Sequence, residues 1–578
     1  MRDRIISTPY WLGVLFLVLC LLIHGRFDPW FTNVATGDDL GNFIAFYHHE
    51  FAGSLWQSLT GEYANHYRPF FQAAWWAMAS LFGHDMKSFE VANIIINAVS
   101  GVFFFVTAFH VSRRDTGISL VITAAFVLSR FMLYQIITAT GLMESLGLLF
   151  FIVSFWSALK AEDGYEQRPA RYRWISALAI MAAVYTHERY VLIPAVYAIA
   201  QFVLPRARRE KRGRLLLVAF LIAIPVSNFV INVFIFKSGF FVGPGGAPFN
   251  IGGSLQQIYE AITSIFGFNK GAPTFFGGSI WMLPRIFILF AAALPLCYLA
   301  SLISLGLSEG RDSKSGRWAS FAFFSAIFWA LLLPPVSTFP LQPQWLVEPF
   351  ALFLLWLATI SPKAVAGTAA IASIVLGIGY TRIFDGIGWV AESRQTQQFT
   401  KAFIHGDLSG IGTLNIVARP DFCGWPLQQG RIFELYDHQA RPLHCIADIA
   451  AAGQEPINPR SPIFYADASG GYHELDPGID GMLTARISAA PEQIVASSLT
   501  PEQRQNGVPL WIKIAGEMNP DFVLTINGRE MESAAGRNYM TTLLPASVLD
   551  TPGTYDLRIQ AIRGGKVATS APASLPIK

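Results

Sequence analysis

The stretch WISALAIMAAVYTHERYVLIPAVYAIAQFVL, Trp174 to Leu204, consists of two apolar runs separated by the polar residues THER. Basic residues lie on both sides of it, and the run that follows is RARREKRGR, Arg206 to Arg214. Because basic loops stay in the cytoplasm, this stretch is expected to cross a membrane outward and return. THER, Thr186 to Arg189, is then expected at the outer surface, between two short spans.

The composition of the whole chain supports a membrane location. The protein has 578 residues, of which 53% are hydrophobic and only 14% charged, and its mean hydropathy is +0.41. Soluble proteins carry about 25% charged residues. A net charge of +3 is too small to indicate nucleic acid as a partner, so the RARREKRGR run is interpreted as a topology signal. The fold class predicted is a polytopic α-helical membrane protein.

Apolar runs close to the ~20 residues that cross a bilayer recur along the first two-thirds of the chain. The basic clusters between them fall on one side, which the positive-inside rule assigns to the cytoplasm. The N-terminus is therefore predicted to be cytoplasmic and the chain after Arg382 extracytoplasmic. Eleven spans are predicted, at about 9–26, 89–111, 117–134, 142–159, 174–187, 190–204, 215–236, 283–305, 318–334, 345–360 and 363–381.

Beyond the spans the sequence becomes polar and predicts two further regions. Residues 1–384 form the predicted membrane domain and residues 385–505 a mixed α/β connecting region. Residues 506–578 alternate apolar and polar positions between turn signals such as Asn527-Gly528, which is typical of a small β-sandwich. This last region resembles the immunoglobulin-like IPT/TIG modules.

Two of the four cysteines fall in this outer part of the chain. Cys423 and Cys445 are 22 residues apart, whereas the other two cysteines lie inside predicted spans. In an oxidising compartment such a pair is expected to form a disulfide.

The first predicted outer loop contains two adjacent carboxylates, Asp38 and Asp39, in TGDDLGNF. They are either solvated loop residues, caps for the helix that follows, or functional groups. Later in this loop, Tyr67-Arg68-Pro69 precedes an apolar segment that predicts a helix lying along the membrane surface. Arg68 at the start of that helix would favour an anion, although it could equally extend to lipid headgroups.

The loop before span eight contains GFFVGPGGAPFNIGG, Gly239 to Gly253, followed by SLQQIYEAITSIFGF. A Gly/Pro-rich hinge before an amphipathic helix is typical of a mobile lid over a substrate cavity. An ordinary surface loop has the same composition, and both interpretations stay open.

The order of these motifs resembles the GT-C superfamily of membrane glycosyltransferases, and in particular the transmembrane and TPR-repeat O-mannosyltransferases and their bacterial relatives. The likeness covers about 380 residues. His187 stands where the family usually has lysine, and TPR repeats are absent. The segments that carry the likeness are the acidic pair, YRP, LFG, Asn93 and Asn97, GLMESLGLLFFIVSFW (Gly141 to Trp156), THERYVLIP (Thr186 to Pro194) and WLVEPFALFLL (Trp345 to Leu355).

The resemblance implies transfer of a sugar from a polyprenyl-phosphate donor, at the outer face of a bacterial inner membrane, to a glycan, lipid or protein acceptor. Such chemistry needs a carboxylate to deprotonate the acceptor and cations on the leaving phosphate. The candidates are Asp39, Asp38 and Glu188 as catalytic carboxylates, Arg68, Tyr67, His187 and Arg189 around the phosphate, and Glu144 as a further site residue.

Other roles are open for two pairs of acids, Asp38 with Asp39 and Glu144 with Glu188. Asp38 and Asp39 could also bind a divalent cation such as Mg²⁺, Mn²⁺ or Ca²⁺, for which hard oxygen ligands are suited. Glu144 and Glu188 could instead form structural ion pairs with Arg130 or Arg189. The rival functions are a lipid or polysaccharide transporter or flippase, and a non-catalytic scaffold that presents the outer domain.

Overall fold

A computed structural model gives the architecture of the chain, which divides into two compact units. The first comprises residues 1–35 and 45–391, and the second comprises residues 36–44 and 392–578. The structure describes residues 9–63, 66–163, 166–204, 213–237, 251–268, 280–307, 311–338, 341–381, 388–404, 408, 411–418, 420–438, 441–446, 461–466, 472–474, 482–483, 486–499, 503, 507–515, 523–531, 533–535, 539–563, 566–570 and 572–578.

Helices account for nearly all of the first unit. They are α1 (Pro9–Phe27), α2 (Asp38–Tyr47), whose first residues belong to the second unit, α3 (Leu55–Thr60), α4 (Pro69–Phe82), α5 (Met86–Val111), α6 (Thr116–Val127), α7 (Leu133–Ile137), α8 (Gly141–Glu162), α9 (Pro169–Val184), α10 (Ile193–Val203), α11 (Arg214–Val230), α12 (Ile251–Ile265), α13 (Ile286–Leu307), α14 (Arg311–Thr338), α15 (Val347–Ile360) and α16 (Lys363–Thr381).

The protein is a multi-pass membrane protein. Among the described residues, eight helices are long and apolar enough to cross a membrane, or nine if a bent pair counts as one span. That pair joins Thr116–Val127 to Arg130–Ile137 at an angle of 45°. A helix lies in each of the eleven predicted segments, but α9 and α10 have only 16 and 11 residues. On length alone, the structure therefore gives eight or nine spans and leaves these two short helices uncounted.

Local sequence signals set the start and the end of α4, the helix that follows Arg68. Pro69 occupies the first turn of α4, where its missing N–H removes no helical hydrogen bond. Gly83 ends the helix with φ of 62°, in the left-handed region that glycine adopts without a steric penalty. Arg68 is the residue immediately before the first turn and is buried. The sequence therefore places the Arg68 guanidinium at the positive end of the helix dipole.

Two sequence-based interpretations fall mostly outside the described residues. The predicted hinge at 239–253 is described only from Ile251, where the predicted amphipathic helix begins as α12. The basic RARREKRGR run is described only at its last two residues, Gly213 and Arg214.

The second unit begins with a small mixed sheet. Its strands are β1 (Leu414–Val417), β2 (Leu443–Ile446), β3 (Ile463–Ala466) and β4 (Tyr472–Glu474), in the order β2-β1-β3-β4. The pairs that β1 forms with β2 and β3 are parallel. The helices in this part of the chain are α17 (Gly388–Phe403), α18 (Pro420–Gly424) and α19 (Ile432–Asp437).

The C-terminal part forms two further sheets, of order β10-β11-β7-β6 and β5-β13-β12-β8-β9, with β14 paired to β12. The strands are β5 (Met482–Leu483), β6 (Arg486–Ala490), β7 (Val508–Ala515), β8 (Val523–Ile526), β9 (Arg529–Met531), β10 (Ser533–Ala535), β11 (Tyr539–Leu544), β12 (Gly553–Arg563), β13 (Lys566–Ser570) and β14 (Ala573–Ile577), and the short helix α20 (Ala546–Leu549) follows β11.

The two sheets share one hydrophobic core. Leu510 and Ile512 of one sheet lie in the same buried cluster as Leu524, Leu557 and Ile559 of the other. Strands β5 and β6 lie before residue 506 but pair with β13 and β7. The sheets therefore include residues that the sequence assigns to the connecting region, because short edge strands carry too few residues to show a clear alternation.

A disulfide joins α18 to β2. Cys423 and Cys445 are bonded, with their Cα atoms 5.7 Å apart, which is the pairing expected from the sequence. The bond fastens the loop after α18, Trp425 to Gln428, to the edge of the mixed sheet.

We predict that Cys423→Ser/Cys445→Ser destabilises the second unit. A bridge between residues 22 positions apart stabilises by about 3 kcal/mol in the chain-entropy model. The measurement is limited proteolysis of the full-length protein, in which cleavage between residues 392 and 578 should become faster. Cys20→Ser, which removes a free cysteine of the first unit, is the matched control. Alkylation of both thiols in the untreated native protein would contradict the bond.

Candidate functional site

The centre of the candidate site in the first unit is a two-point ion pair between Arg68 and Glu188. Arg68 Nε donates to Glu188 Oε2 at 2.8 Å, and Arg68 Nη2 donates to Glu188 Oε1 at 2.5 Å. The third donor group, Nη1, points to the sulfur of Met143 at 3.4 Å. A thioether is a weak acceptor, so two nitrogens of the guanidinium are strongly bound and the third is weakly bound.

A second ion cluster lies one residue further along the chain. Arg189 Nη2 lies 2.7 Å from Glu144 Oε2 and 2.6 Å from Glu348 Oε1. The hydroxyl of Tyr190 accepts from Arg189 Nη2 at 2.7 Å and donates to Glu348 Oε1 at 2.5 Å. All four residues are at most 3% exposed. One guanidinium therefore forms ion pairs with two buried carboxylates that come from different helices.

His187 lies between the two clusters. Its Nε2 is 3.6 Å from Glu144 Oε1, and its Nδ1 is 3.7 Å from Glu188 Oε2. The backbone N–H of Arg189 donates to His187 Nδ1 at 3.3 Å. Because Nδ1 accepts this bond, the proton of the neutral ring is on Nε2, which faces Glu144. THER thus contributes three consecutive side chains to one connected polar network.

The short backbone turn at THER explains this concentration of charge. Residues Glu188–Tyr190 form a single 3₁₀ turn between α9 and α10. The tighter turn directs consecutive side chains to different partners, so Glu188 contacts Arg68 while Arg189 contacts Glu144 and Glu348.

The buried carboxylates and Arg68 all belong to helix starts. Glu144 lies in the first turn of α8 and Glu348 in the first turn of α15. The positive end of a helix dipole stabilises a carboxylate in its first turn. The network therefore lies at helix ends and not in the middle of the candidate spans.

Glu188 is the most accessible acid of the network, with its side chain 30% exposed. Burial alone would raise the pKa of Glu188, but the guanidinium of Arg68 outweighs this and holds the pKa well below its usual value. Glu188 is therefore ionised at neutral pH, and it is a poor proton acceptor.

Asp38 and Asp39 belong to the second unit and lie in the first turn of α2. Trp425 Nε1 donates to Asp38 Oδ1 at 3.1 Å. Asp38 remains exposed, whereas Asp39 is buried, with 3% of its surface accessible. The two adjacent carboxylates therefore have different surroundings, a difference that their sequence does not show.

Residues 36–41, which we name the acidic turn, are held by the loop after the Cys423 disulfide. The N–H of Gly37 donates to Pro426 O at 3.2 Å, and Gln428 Nε2 donates to Gly37 O at 3.2 Å. Gly37 has φ of 56°, and a Cβ there would lie 2.4 Å from Trp425 Cζ2. Glycine is required here by both backbone conformation and space.

Two threonines complete the attachment of the acidic turn. Thr36 Oγ1 donates to Pro426 O at 3.2 Å and lies 3.1 Å from Thr396 Oγ1 of α17. Both threonines are buried. The mixed α/β region therefore fixes the backbone on which Asp38 and Asp39 stand.

The acidic turn is also the place where a metal ion was expected. No group of three or more His, Cys, Asp or Glu side chains arranged for a metal occurs among the residues that the structure describes. Mg²⁺, however, is commonly held by one or two carboxylates together with water and substrate phosphate. Asp38 and Asp39 suit a site of that open kind, and metal dependence stays a prediction.

The structure thus brings together five of the predicted site residues, namely Arg68, Glu144, His187, Glu188 and Arg189. The alternative in which Arg130 pairs with the acids is not what the structure shows. Arg130 Nη2 donates to Ser264 O at 2.9 Å, and its guanidinium lies 4.0 Å from the centre of the Tyr380 ring.

Tyr67 has a packing role beside Arg68. Its backbone N–H donates to Asn232 Oδ1 at 2.8 Å, and its hydroxyl donates to Leu59 O at 2.8 Å. Its ring contacts those of Tyr185 and Phe236. These contacts fix the residue next to Arg68 without using the phenol as an anion ligand.

Sequence reasoning missed Glu348, Tyr190 and Trp425 as functional candidates. Glu348 had a signal, because a lone carboxylate inside WLVEPFALFLL must be paired in an apolar medium. Tyr190 adjoins THER but resembles any aromatic residue at a span end. Trp425 had no local signal, since its partner Asp38 is 387 residues away.

No protein-family model matches the chain, and no curated protein matches it. Among solved structures, the crystal structure of ArnT from Cupriavidus metallidurans bound to undecaprenyl phosphate is similar, with 13% sequence identity and a TM-score of 0.42. The alignment covers 94% of this chain and 99% of that chain. A likeness at this level is too weak to carry a functional conclusion.

We predict that Arg189→Gln strongly destabilises the protein, because it leaves Glu144 and Glu348 buried without a counter-charge. Breaking a buried ion pair from one side typically costs about 3–5 kcal/mol. The measurement is the thermal unfolding midpoint of the purified protein in detergent. Arg171→Gln, on the exposed face of α9, should change stability by no more than ~0.5 kcal/mol.

The triple variant Arg189→Gln/Glu144→Gln/Glu348→Gln separates charge from packing. If charge imbalance is the cause, neutralising all three groups should recover much of the stability that the single variant loses. A triple variant no more stable than Arg189→Gln would show that the guanidinium acts through packing alone.

Proposed function

We propose that the protein is a GT-C-type glycosyltransferase that uses a polyprenyl-phosphate-linked sugar. It would act at the extracytoplasmic face of a bacterial inner membrane, on a glycan, lipid-linked polysaccharide or protein acceptor. The proposal is supported by the order of the sequence motifs, by the membrane-spanning helices and by the polar network around Arg68.

The observation that carries the proposal is the Arg68–Glu188 pair. A guanidinium at the start of a helix, among membrane-spanning helices, is held at two nitrogens by a carboxylate. Two-point binding of this kind is how arginine recognises carboxylates and phosphates. Glu188 fixes the plane of the guanidinium, and Nη1, whose present acceptor is a sulfur, is the donor that a phosphate oxygen would take.

The depressed pKa of Glu188 favours such a positioning role over that of a general base. The base in the proposed reaction is a carboxylate of the acidic turn, and we assign Asp39 to it. The acceptor oxygen attacks the anomeric carbon and gives its proton to Asp39. The bond from that carbon to the phosphate oxygen breaks, and polyprenyl phosphate leaves with the electron pair.

In the alternative role, in which Asp38 and Asp39 hold a divalent cation, that cation would supply positive charge to the leaving phosphate. The backbone of the acidic turn is fixed by Pro426 and Gln428, so these carboxylates are held in place before substrate arrives. Such pre-organisation avoids an ordering cost when the substrate binds.

The position of the charges disfavours the transporter alternative. Transporters that alternate access bind their cargo near the bilayer midplane, often at broken helices. Glu144 and Glu348 lie in the first turns of their helices, and Arg68 precedes the first turn of α4. The scaffold alternative requires that the acidic turn be dispensable, which the following experiment tests.

We predict that Asp39→Asn lowers sugar transfer by about 10²–10⁴-fold, because the amide keeps the size of the side chain but cannot accept a proton. The measurement is consumption of polyprenyl-phosphate sugars from a lipid extract, followed by mass spectrometry at matched protein levels. The Asp38→Asn/Asp39→Asn variant should be inactive while still inserted in the membrane. Near-normal turnover by that double variant would refute the mechanism and favour a transporter or scaffold.

Trp425→Phe distinguishes the two carboxylates in the same assay. The substitution keeps an aromatic ring beside Gly37 but removes the N–H that binds Asp38. With Asp39 as the base, Trp425→Phe and Asp38→Asn should both retain most of the transfer activity. A large loss in both, with a changed pH profile, would assign the base to Asp38 instead.

We predict that Arg68→Lys raises the KM for the lipid-linked donor while kcat changes little. Lysine keeps the charge opposite Glu188 but lacks the planar fork that binds two oxygens. A charged hydrogen bond to phosphate contributes about 1.5–3 kcal/mol, so the KM should rise roughly 10- to 150-fold. Arg171→Lys on α9 is the control. An increase confined to the acceptor KM would contradict the assignment of Arg68 to the donor phosphate.

A further inference from the structure

A groove with an apolar wall and a basic rim lies in the first unit, apart from the residues of the Arg68 network. It has a volume of about 850 Å³ and is lined by parts of α1, α5, α6 and α16. This volume lies within the ~300–1,000 Å³ of typical small-molecule sites. The residues of the polar network are absent from its lining.

The wall of the groove suits a hydrocarbon chain. Trp11 and Val18 of α1 and Leu120 of α6 line it and are 51%, 44% and 45% exposed. Phe105 of α5, which is buried, also lines the groove. Helices α1 and α5 are candidate membrane spans, so the surroundings of this wall are lipid and not water.

The rim of the groove carries a net positive charge. Arg113 and Arg114 follow the end of α5, and both side chains are exposed. The remaining charged groups in the lining are Lys363 and Asp115, whose Nζ and Oδ2 atoms are 2.5 Å apart. Asp115 also caps α6 by accepting from Ile118 N. Lys363 and Asp115 therefore pair with each other, and Arg113 and Arg114 are the other two charged residues of the lining.

The turn that carries the arginines is itself unusual. Arg113 and Arg114 have φ of 58° and 66°, in the left-handed region that non-glycine residues seldom adopt. Two successive residues in this conformation cost free energy that an ordinary connecting turn with glycine would avoid. The chain thus keeps two arginine side chains at a position where glycine would suit the backbone better.

We propose that this groove binds one anionic glycerophospholipid. The phosphate lies between Arg113 and Arg114, and an acyl chain lies along Trp11, Val18 and Leu120. Basic pockets between membrane helices bind anionic headgroups, and the cytoplasmic leaflet, to which the sequence assigns this end of α5, carries the anionic lipids. The site does not depend on glycosyl transfer and would persist if the proposed function failed.

The experiment is native mass spectrometry of the purified full-length protein titrated with phosphatidylglycerol or phosphatidylcholine. The unmodified protein should retain one phosphatidylglycerol in preference to phosphatidylcholine. Each basic residue near the surface attracts anionic lipid by an amount equal to about fivefold in affinity, so Arg113→Gln/Arg114→Gln should weaken binding about 30-fold. Arg113→Lys/Arg114→Lys should restore most of it.

Three controls make the result specific to this groove. Arg168→Gln/Arg171→Gln removes two exposed charges from the start of α9, and it should leave binding unchanged. Leu120→Trp, which fills the apolar wall, should weaken binding, whereas Leu216→Trp on exposed α11 should not. Glycerol 3-phosphate should not compete, because it lacks the acyl chain.

Several outcomes would overturn the proposal. Equal retention of the two lipids would show that charge is not recognised. An equal loss of lipid binding in Arg168→Gln/Arg171→Gln would show that the arginines act through general surface electrostatics and not through this groove. Effective competition by glycerol 3-phosphate would make the rim a binding site for free phosphate esters and not for a lipid.

Discussion

A charge that leaves water for an apolar medium must take its counter-charge with it, and the first unit is arranged around this requirement. Arg189, Glu144 and Glu348 are each at most 3% exposed, and each comes from a different element of the chain. An uncompensated charge at such a site costs several kcal/mol. The 3₁₀ turn must therefore lie against the starts of α8 and α15. This contact constrains how the helices on either side of the turn pack against α8 and α15.

The same constraint prepares Arg68 for chemistry. Its guanidinium needs a partner wherever it is buried, and Glu188 supplies one without occupying Nη1. A guanidinium held at two nitrogens loses little conformational freedom when a ligand binds the third. An arrangement required for stability thus also provides a directed donor, and His187 connects it to the neighbouring acid cluster.

The helices could be predicted from the sequence because hydropathy is a local property, and a helix lies in every segment that the apolar runs indicate. Partners could not be predicted in the same way. Arg130 and Arg189 are equally plausible partners for Glu144 in the sequence, and only the packing selects Arg189. The disulfide could be predicted because residues 385–578 contain just these two cysteines, Cys423 and Cys445. The hydrogen bond from Trp425 to Asp38 could not be predicted, because neither residue has a local pattern that indicates the other.

The attachment of the acidic turn has a consequence for biosynthesis. Thr36 and Gly37 emerge early during translation, yet the residues that hold them, Thr396 and Trp425 to Gln428, are made near the end. The separation between Asp38 and Trp425 is 387 residues, and synthesis at about 5–20 residues per second takes on the order of 20 to 80 seconds to cover it. During that interval the acidic turn lacks these contacts, although the helices between them can already be inserted. Its native conformation is therefore acquired only after the late segment has been made.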